Sequence, residues 1–207
     1  MQPKQKVAIY IDGFNFYYGL RSKFQRRYYW LDIVKFFETF IKPYQELVEV
    51  TYFSATPHDK GKHDRQDLFF TANKLNPKFK LALGRYLPKK KICKTCGAIH
   101  ITFEEKETDV KIATKMIADV VGDNCDISIL VSADSDLVPP IEFIRSLKPT
   151  HKIYVYFPPN RYSSNLNSMA NNTKKLDGSY VAFQNSLLPD SITLPNGFKI
   201  QRPIKWH

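Results

Sequence analysis

The sequence predicts an α/β protein in which a mainly parallel sheet carries helices on both faces. Short apolar runs typical of buried strands alternate with segments whose apolar residues recur every three or four positions. Strands that alternate with helices favour parallel pairing through right-handed crossovers. The length of 207 residues fits one such domain with a short extension.

Five segments are predicted strands because they are apolar, rich in β-branched and aromatic residues, and followed by turn residues. They are residues 7–11, 47–54, 80–87, 127–131 and 152–157. The third strand is expected to end at Pro88 and the fifth at Pro158, since proline cannot donate to a sheet ladder. Asp12-Gly13, directly after the first strand, is expected to form a turn or the start of a site.

Four segments are predicted helices because their apolar residues are spaced for one helical face. They are residues 31–41, 64–75, 108–121 and 137–147, and Thr108 is the expected N-cap of the third. We therefore expect one domain over residues 1–160, with a cysteine-containing insertion near 88–103. Residues 161–207 are expected to form a C-terminal helix and tail packed on the same domain.

Composition narrows the class of protein and its partners. The 31 Lys and Arg against 20 Asp and Glu give a net charge of +11, which favours polyanions, and nucleic acid first among them. The 43% hydrophobic content argues against a disordered chain, and no apolar run approaches the roughly 18 residues of a membrane span. Three cysteines, two of them in a C-x-x-C pair, favour a reducing compartment. A cytoplasmic protein without a membrane partner is expected.

Acidic residues follow two of the predicted strands, where sites form in open α/β sheets. Asp12 follows the first strand, Asp134 and Asp136 follow the fourth, and Asp109 begins a helix. If the two strands are neighbours, these carboxylates converge and need protons or divalent cations to coexist. Hard oxygen ligands of this kind suit Mg²⁺ or Mn²⁺. Taken singly, each acid is equally well explained as a helix cap or a turn residue.

Three motifs together resemble the NYN domain family, a PIN-like group that includes the LabA/DUF88 proteins. They occur in the family's order and span most of residues 6–157. The Arg65-Gln66 helix and the Gly84-Arg85-Tyr86 strand end also look like this group. The motifs are Ile11-Asp12-Gly13-Phe14-Asn15, Glu105-Lys106-Glu107-Thr108-Asp109-Val110 and Val131-Ser132-Ala133-Asp134-Ser135-Asp136.

The resemblance implies a PIN-like three-layer α/β/α fold with an acidic metal pocket, and a ribonuclease that leaves a 5′-phosphate and a 3′-hydroxyl. By position, Asn15 would line the pocket and Ser132 would hydrogen-bond beside the metal. Some relatives carry an acid six residues after the Asp109 position, where this chain has Lys115. That departure is compatible with one tight metal instead of two, or with slow turnover. The implied Mg²⁺ or Mn²⁺ ligands are Asp12, Asp109, Asp134 and Asp136.

Single-stranded or unpaired RNA is the expected substrate, because a crevice with aromatic and basic side chains suits splayed strands. For any one basic cluster alone, a solvated surface is the simpler interpretation. The candidate backbone contacts are Arg21, Arg26, Arg27, Lys62, Arg65, Arg85, Lys89, Lys90 and Lys91.

The segment Cys93-Lys-Thr-Cys96-Gly97 has the form of a zinc knuckle, which is half of a four-ligand zinc site. Candidates to complete it are Cys125, His100, or the pair His58 and His63. The alternative is a pair of surface thiols. With zinc bound, the segment would fold a hairpin that carries Lys89 to Lys91 over the site entrance.

Other functions explain fewer of these residues. A Toprim-type domain would use Asp134-Ser-Asp136 but normally has Glu after its first strand, and a haloacid-dehalogenase phosphatase needs a D-x-D motif there. Neither explains Asn15 or Asp109, and no G-x-G-x-x-G or Walker A motif is present. The remaining alternative is a catalytically weak or inactive RNA-binding or regulatory module on the same fold. A homodimer or another protein partner is left open.

Overall fold

The computed structural model describes residues 3–57 and 59–206 and contains a seven-stranded sheet in the order β4-β3-β2-β1-β5-β6-β7. All neighbouring pairs are parallel except β3 and β4. A separate antiparallel pair is formed by β8 and β9. The strands are β1 Gln5–Asp12, β2 Gln45–Ala55, β3 Phe79–Ile92, β4 Ile99–Lys106, β5 Ile127–Val131, β6 Lys152–Phe157, β7 Asn172–Lys175, β8 Ser191–Thr193 and β9 Lys199–Gln201.

Helices cover both faces of the sheet, which confirms the predicted α/β class. Buried residues of α1, α2, α3 and α7 pack in the core on one face, and those of α4, α5 and α6 pack on the other. None of the helices in the described residues is long and apolar enough to cross a bilayer. The helices are α1 Gly13–Phe24, α2 Ile33–Glu38, α3 Lys60–Asn73, α4 Thr108–Val121, α5 Val138–Leu147, α6 Ser164–Met169 and α7 Tyr180–Asn185.

Strand β1 lies at the centre of the sheet and is buried on both faces. Its residues alternate between the two cores, with Ile9 and Ile11 on one side and Ala8 and Tyr10 on the other. It pairs in parallel with β2 and with β5, and the order of the strands reverses between these neighbours. In such sheets the reversal opens a crevice at the carboxyl ends of the strands.

The third strand does not end at Pro88, as the sequence predicted. Strand β3 pairs with β2 as far as Gly84 and then continues to Ile92, paired only with β4. In this two-stranded stretch, none of the described strands pairs with the other edge of β3, so a residue without an amide hydrogen is tolerated. The predicted cysteine-containing insertion is therefore the outer part of a long β-hairpin.

The prediction that Thr108 is the N-cap of its helix is wrong. Glu107 occupies the cap position in a left-handed conformation with φ of 77°, and Thr108 is the first helical residue. The Glu105 carboxylate accepts a hydrogen bond from the Thr108 amide at 3.1 Å. The capping carboxylate therefore comes from the preceding strand. The Thr108 hydroxyl is buried.

Helix α1 was not predicted, and the other early helices differ from the expected bounds. The expected helix over residues 31–41 is reduced to α2, and the expected helix over 64–75 starts at Lys60. Helix α1 starts directly after β1, with the Asp12 carboxylate accepting a hydrogen bond from the Asn15 amide at its N-terminus. The residue that ends the first strand thus also caps the first helix.

The segment after residue 160 packs on the same core as the rest of the chain. It contributes β7 as the outermost strand of the central sheet and α7 on one face. Trp206 packs near Tyr29 and Trp30, with ring centroids 5.6 and 6.2 Å apart. These contacts pack the C-terminal end of the described chain against the segment between α1 and α2, in the core on one face of the sheet.

Helix α1 runs so close to the loop after β6 that its Gly19 has no room for a side chain. A Cβ atom there would lie 2.7 Å from the Pro159 carbonyl oxygen and 2.9 Å from Pro158 Cβ. We expect Gly19→Ala to lower the free energy of unfolding by about 1–3 kcal/mol, measured by urea denaturation. Gly178→Ala is the matched control, because nothing lies within 4 Å of its Cβ. Equal stability of the two variants would contradict the close packing of α1.

Candidate active site

Three aspartates from separate elements meet at the carboxyl edge of the sheet. Asp12 ends β1, Asp134 follows β5 and Asp109 lies in the first turn of α4. One carboxylate oxygen of each lies within 4.8 Å of the others. The hairpin of β3 and β4 returns the chain to this edge, and α4 begins there. We call these three residues the aspartate cluster.

Asp12 is the buried member of the aspartate cluster and is held by three donors. Its Oδ1 accepts from the Asn15 amide at 3.0 Å. Its Oδ2 accepts from Asn15 Nδ2 at 2.6 Å and from the Ser132 hydroxyl at 2.8 Å. Since both oxygens are engaged, the carboxylate plane is fixed relative to β5.

Asp134 is positioned by the turn that follows β5. Ser132 Oγ accepts a hydrogen bond from the Asp134 amide at 3.0 Å, and Asp134 Oδ1 accepts one from the Asp136 amide at the same distance. The Asp136 side chain is exposed and lies outside the aspartate cluster. Asp12 and Asp134 therefore cap the helical turns that follow them, which is the alternative that the sequence left open for each acid. Their carboxylates also converge in the aspartate cluster.

Burial and mutual repulsion raise the proton affinity of the aspartate cluster. Burial raises the pKa of Asp12, and this effect outweighs the opposing hydrogen bonds from Asn15 and Ser132. Burial, followed by the charges of Asp12 and Asp134, raises the pKa of Asp109 to about 6. A divalent cation would relieve this repulsion, and three carboxylates are a ligand set that suits Mg²⁺ or Mn²⁺. The cluster therefore fits the predicted metal.

Lys115 is paired outside the aspartate cluster. Its Nζ lies 2.8 Å from Asp119 Oδ1 and 3.0 Å from Glu49 Oε1. Asp119 is buried and also accepts a hydrogen bond from the Tyr10 hydroxyl. Lys115 thus belongs to a separate, partly buried network that joins α4 to β1 and β2.

The lining of a groove of about 1420 Å³ includes Gly13 and Phe14, which follow Asp12 in the chain, and extends to Trp206. Exposed Tyr17 and Tyr18 line it, with ring centroids 5.3 Å apart. Its wall therefore combines positive charge with aromatic surface. The basic residues along the groove are Arg21, Arg26, Arg27, Lys62, Arg65, Arg202 and Lys205.

Four of the predicted RNA contacts are not among the residues that line the groove, and they belong to β3. Arg85 Nε lies 3.2 Å from Glu107, and Lys89 Nζ lies 2.5 Å from Glu104. Lys90 and Lys91 are exposed on the outer part of the hairpin. The structure thus separates the basic residues into two sets. The groove set comprises the seven that line the groove, and the hairpin set comprises Arg85, Lys89, Lys90 and Lys91.

Sequence reasoning missed the contribution of the C-terminal segment to the groove. Arg202 and Lys205 line it, and the Arg26 guanidinium donates to the Lys205 carbonyl at 3.4 Å. The one available signal was the segment Arg202-Pro-Ile-Lys205-Trp206, which combines two cations with an aromatic anchor.

Cys93 and Cys96 lie at the tip of the hairpin between β3 and β4. Hydrogen bonds from the backbone of Cys96 and Thr95 lower the pKa of the Cys93 thiol to about 7.

The residues expected to complete a zinc site lie in different parts of the chain. Cys125 is buried near Tyr10, with its sulfur 3.7 Å from the Tyr10 hydroxyl. Of the other candidate ligands, His63 pairs with Asp64 and Asp67. His100 is on β4, and His58 lies outside the described residues.

A mostly parallel seven-stranded sheet flanked by helices, with an aspartate cluster at its carboxyl edge, is consistent with a PIN-like domain. The NYN domain family matches residues 6–177, so this chain belongs to that family.

Known proteins that resemble the chain include a curated enzyme and a solved structure. A 6-hydroxy-3-succinoylpyridine 3-monooxygenase, HspA, from Pseudomonas putida (strain DSM 28022 / S16) is 28% identical. The match covers 68% of this chain and 56% of that protein, so this chain spans about half of the relative's length. A crystal structure of a protein of unknown function from Vibrio parahaemolyticus RIMD 2210633 has a TM-score of 0.60 at 24% identity. That match covers 86% of this chain and 98% of the other, and it shows a shared fold.

The raised pKa of Asp109 predicts that the aspartate cluster lowers the stability of the fold in a pH-dependent way. The folded protein holds the Asp109 proton up to about pH 6, compared with an ordinary pKa of 3.8. Its ionisation therefore lowers the stability of the fold as the pH rises through this window. Without divalent metal, we expect Asp109→Asn to raise the melting temperature at pH 8, by roughly 2–4 °C for each kcal/mol relieved.

The gain should vanish below about pH 4, where both states hold the proton. Added Mn²⁺ should stabilise the wild type more than Asp109→Asn. Exposed Asp64→Asn is the control for loss of one surface charge. A variant that melts below the wild type at pH 8 would contradict the assignment of repulsion to this cluster.

Proposed function

We propose that this protein is a divalent-metal-dependent ribonuclease that hydrolyses phosphodiester bonds of single-stranded or unpaired RNA. The observation that carries the proposal is the convergence of Asp12, Asp109 and Asp134 beside a basic, aromatic groove. Membership of the NYN domain family supports a nuclease. We place the activity in the cytoplasm, as the cysteine content predicts.

The aspartate cluster would hold the Mg²⁺ or Mn²⁺ ion through its carboxylate oxygens. When bound, the ion supplies an activated water and stabilises charge on the phosphate. Asn15 and Ser132 keep Asp12 in one orientation, and outer hydrogen bonds of this kind tune metal affinity. Asp136, two residues from Asp134, contributes negative charge at the rim of the cluster. The raised pKa of Asp109 suits a group that loses its proton when a cation arrives.

The groove supports RNA as the substrate. Its arginines and lysines can neutralise backbone phosphates without depending on the base sequence. The exposed rings of Tyr17 and Tyr18 offer stacking surface for unpaired bases. A paired helix keeps its bases stacked inside, so such a surface favours single strands or loops. The groove set is therefore our candidate for the RNA contacts, ahead of the hairpin set.

The donor set favours hydrolysis over the oxygenation named for the Pseudomonas relative. Non-haem iron oxygenases commonly hold iron with two histidines and one carboxylate. The aspartate cluster consists of carboxylates alone. Cleavage by this chain should therefore proceed unchanged when dioxygen is removed.

Cleavage of end-labelled single-stranded RNA tests the proposal directly. With Mn²⁺ or Mg²⁺ we expect fragments ending in a 3′-hydroxyl and a 5′-phosphate, and with EDTA none. Asp134→Asn/Asp136→Asn should lower the rate more than ~100-fold, because even outer contacts of a metal site are worth 10–100-fold. RNA binding should persist in this variant.

Asp64→Asn/Asp67→Asn is the matched control, since it removes two exposed carboxylates on α3 and should cleave at the normal rate. Cleavage that survives EDTA would contradict a metal-dependent enzyme. RNA that binds but stays intact with every metal would instead identify a binding or regulatory module.

The groove set and the hairpin set can be compared at equal charge change. In an Asp134→Asn background, Lys62→Ala/Arg65→Ala should weaken RNA binding, since both side chains line the groove. Each lost phosphate contact should reduce the slope of log affinity against log salt by about 0.7 for a single strand. Lys90→Ala/Lys91→Ala should leave the slope nearly unchanged. The reverse order, measured by fluorescence anisotropy across a salt series, would place RNA on the hairpin.

A further inference from the structure

The hairpin of β3 and β4 presents two cysteine ligands without completing a site. Its strands pair from Arg85 with Lys106 out to Ile92 with Ile99, and the two cysteines follow at the tip. Cys93 is partly exposed and Cys96 is exposed. They lie outside the aspartate cluster and have no place in the proposed cleavage.

The backbone of the tip has the geometry of a metal knuckle. The Cys93 amide donates to the Ala98 carbonyl at 2.8 Å, and the Gly97 amide donates to the Cys93 carbonyl at 2.9 Å. Gly97 has φ of +70°, a left-handed conformation that glycine adopts without strain. The backbone of Cys96 and Thr95 hydrogen-bonds to the Cys93 sulfur. A hydrogen bond between the Cys96 and Cys93 side chains also brings the two thiols together, as zinc ligands require.

A structural zinc site needs four ligands, and this turn supplies two. Across residues 3–57 and 59–206, the aspartate cluster is the one set of three or more His, Cys, Asp or Glu side chains whose ligand atoms converge. Cys125 is buried beside Tyr10, where it contacts that hydroxyl and Ser128. The part of the chain that is described therefore offers the tip no third ligand.

We propose that the hairpin tips of two copies of this chain share one tetrahedral zinc ion, bound by Cys93 and Cys96 of each. A two-fold axis through the ion makes the two halves of the site identical, as in most homodimers. The second copy thus contributes the missing ligands, and the site is complete only in the dimer.

Charge and surface at the tip support a second copy as the occupant. One Zn²⁺ with four thiolates carries a net charge of −2. Exposed Lys91 and Lys94 flank the thiols and offset this charge, which would otherwise oppose assembly. Ile92 and Ile99 are 67% and 63% exposed directly below the tip. Dimerisation would remove this apolar surface from water.

The test measures metal content and mass together on the full chain. Purified with Zn²⁺ under reducing conditions, the protein should hold one zinc ion per two chains and have twice the chain mass by light scattering. Chelation should release the zinc and return the protein to the monomer mass. Replacement of zinc by Co²⁺ should give the absorption of tetrahedral cobalt with four sulfur ligands, again at one ion per two chains.

Cys93→Ser/Cys96→Ser should abolish both the zinc and the dimer while leaving the melting temperature of the domain nearly unchanged. Asp109→Asn should keep the zinc ion and the dimer. Failure of this proposal can therefore be distinguished from failure of the proposed nuclease. Ile99→Lys should weaken the dimer while the cysteine ligands remain.

Three results would overturn the shared site. One zinc ion per chain in a monomer would mean that the site closes within the chain. A Cys93–Cys96 disulfide without zinc under reducing conditions would identify a redox pair instead. A dimer that persists after chelation would mean that zinc does not bridge the copies.

Discussion

The parallel pairing of β1 with β5 is the constraint on which the candidate site depends. It aligns Ile11 with Val131, so the next residues of both strands leave the sheet at one level. Ser132 then donates to Asp12 across the two strand ends and accepts from the Asp134 amide. One buried hydroxyl thereby sets the separation of two carboxylates. A one-residue slip of β5 against β1 would break the Ser132–Asp12 hydrogen bond, because side chains alternate between the faces of a sheet.

The third carboxylate reaches this edge by a different route. Strand β4 runs antiparallel to β3, and α4 starts after it at the carboxyl edge of the sheet. Asp109 therefore points toward Asp12 and Asp134 without following a parallel strand. Its raised pKa is the electrostatic consequence of that placement. This repulsion would cost stability without a bound cation, and functional sites commonly trade stability for function in this way.

The sequence predicted the structure best where a buried strand is followed directly by acidic side chains of the candidate site. The strands around Ile9 and Ile129 were predictable because continuous apolar runs end in acidic residues. Helix α1 was not, since Gly13–Phe24 is rich in glycine and aromatic residues with weak helix propensity. Its helix is held by packing on β2 and by the close approach at Gly19, which are tertiary facts.

The long hairpin was hidden for a related reason. Pro88 is an ordinary strand terminator, and only the open edge of β3 in the folded sheet makes it acceptable. Likewise, the capping role of Glu105 depends on how β4 leads into α4. Local rules predict which residues can end an element, and the neighbouring strand decides whether they do.

The groove and the aspartate cluster are built from different parts of the fold. The aspartate cluster is built from the sheet, whereas the groove is closed by α1, α3 and the C-terminal segment. Trp206 packs on Tyr29, Trp30 and Phe69, and this anchor carries Arg202 and Lys205 to the groove wall. Changes in that segment would alter the charge and shape of the groove without moving a carboxylate. In the proposed function, selection of the substrate and the chemistry of cleavage would therefore fall to separable parts of one fold.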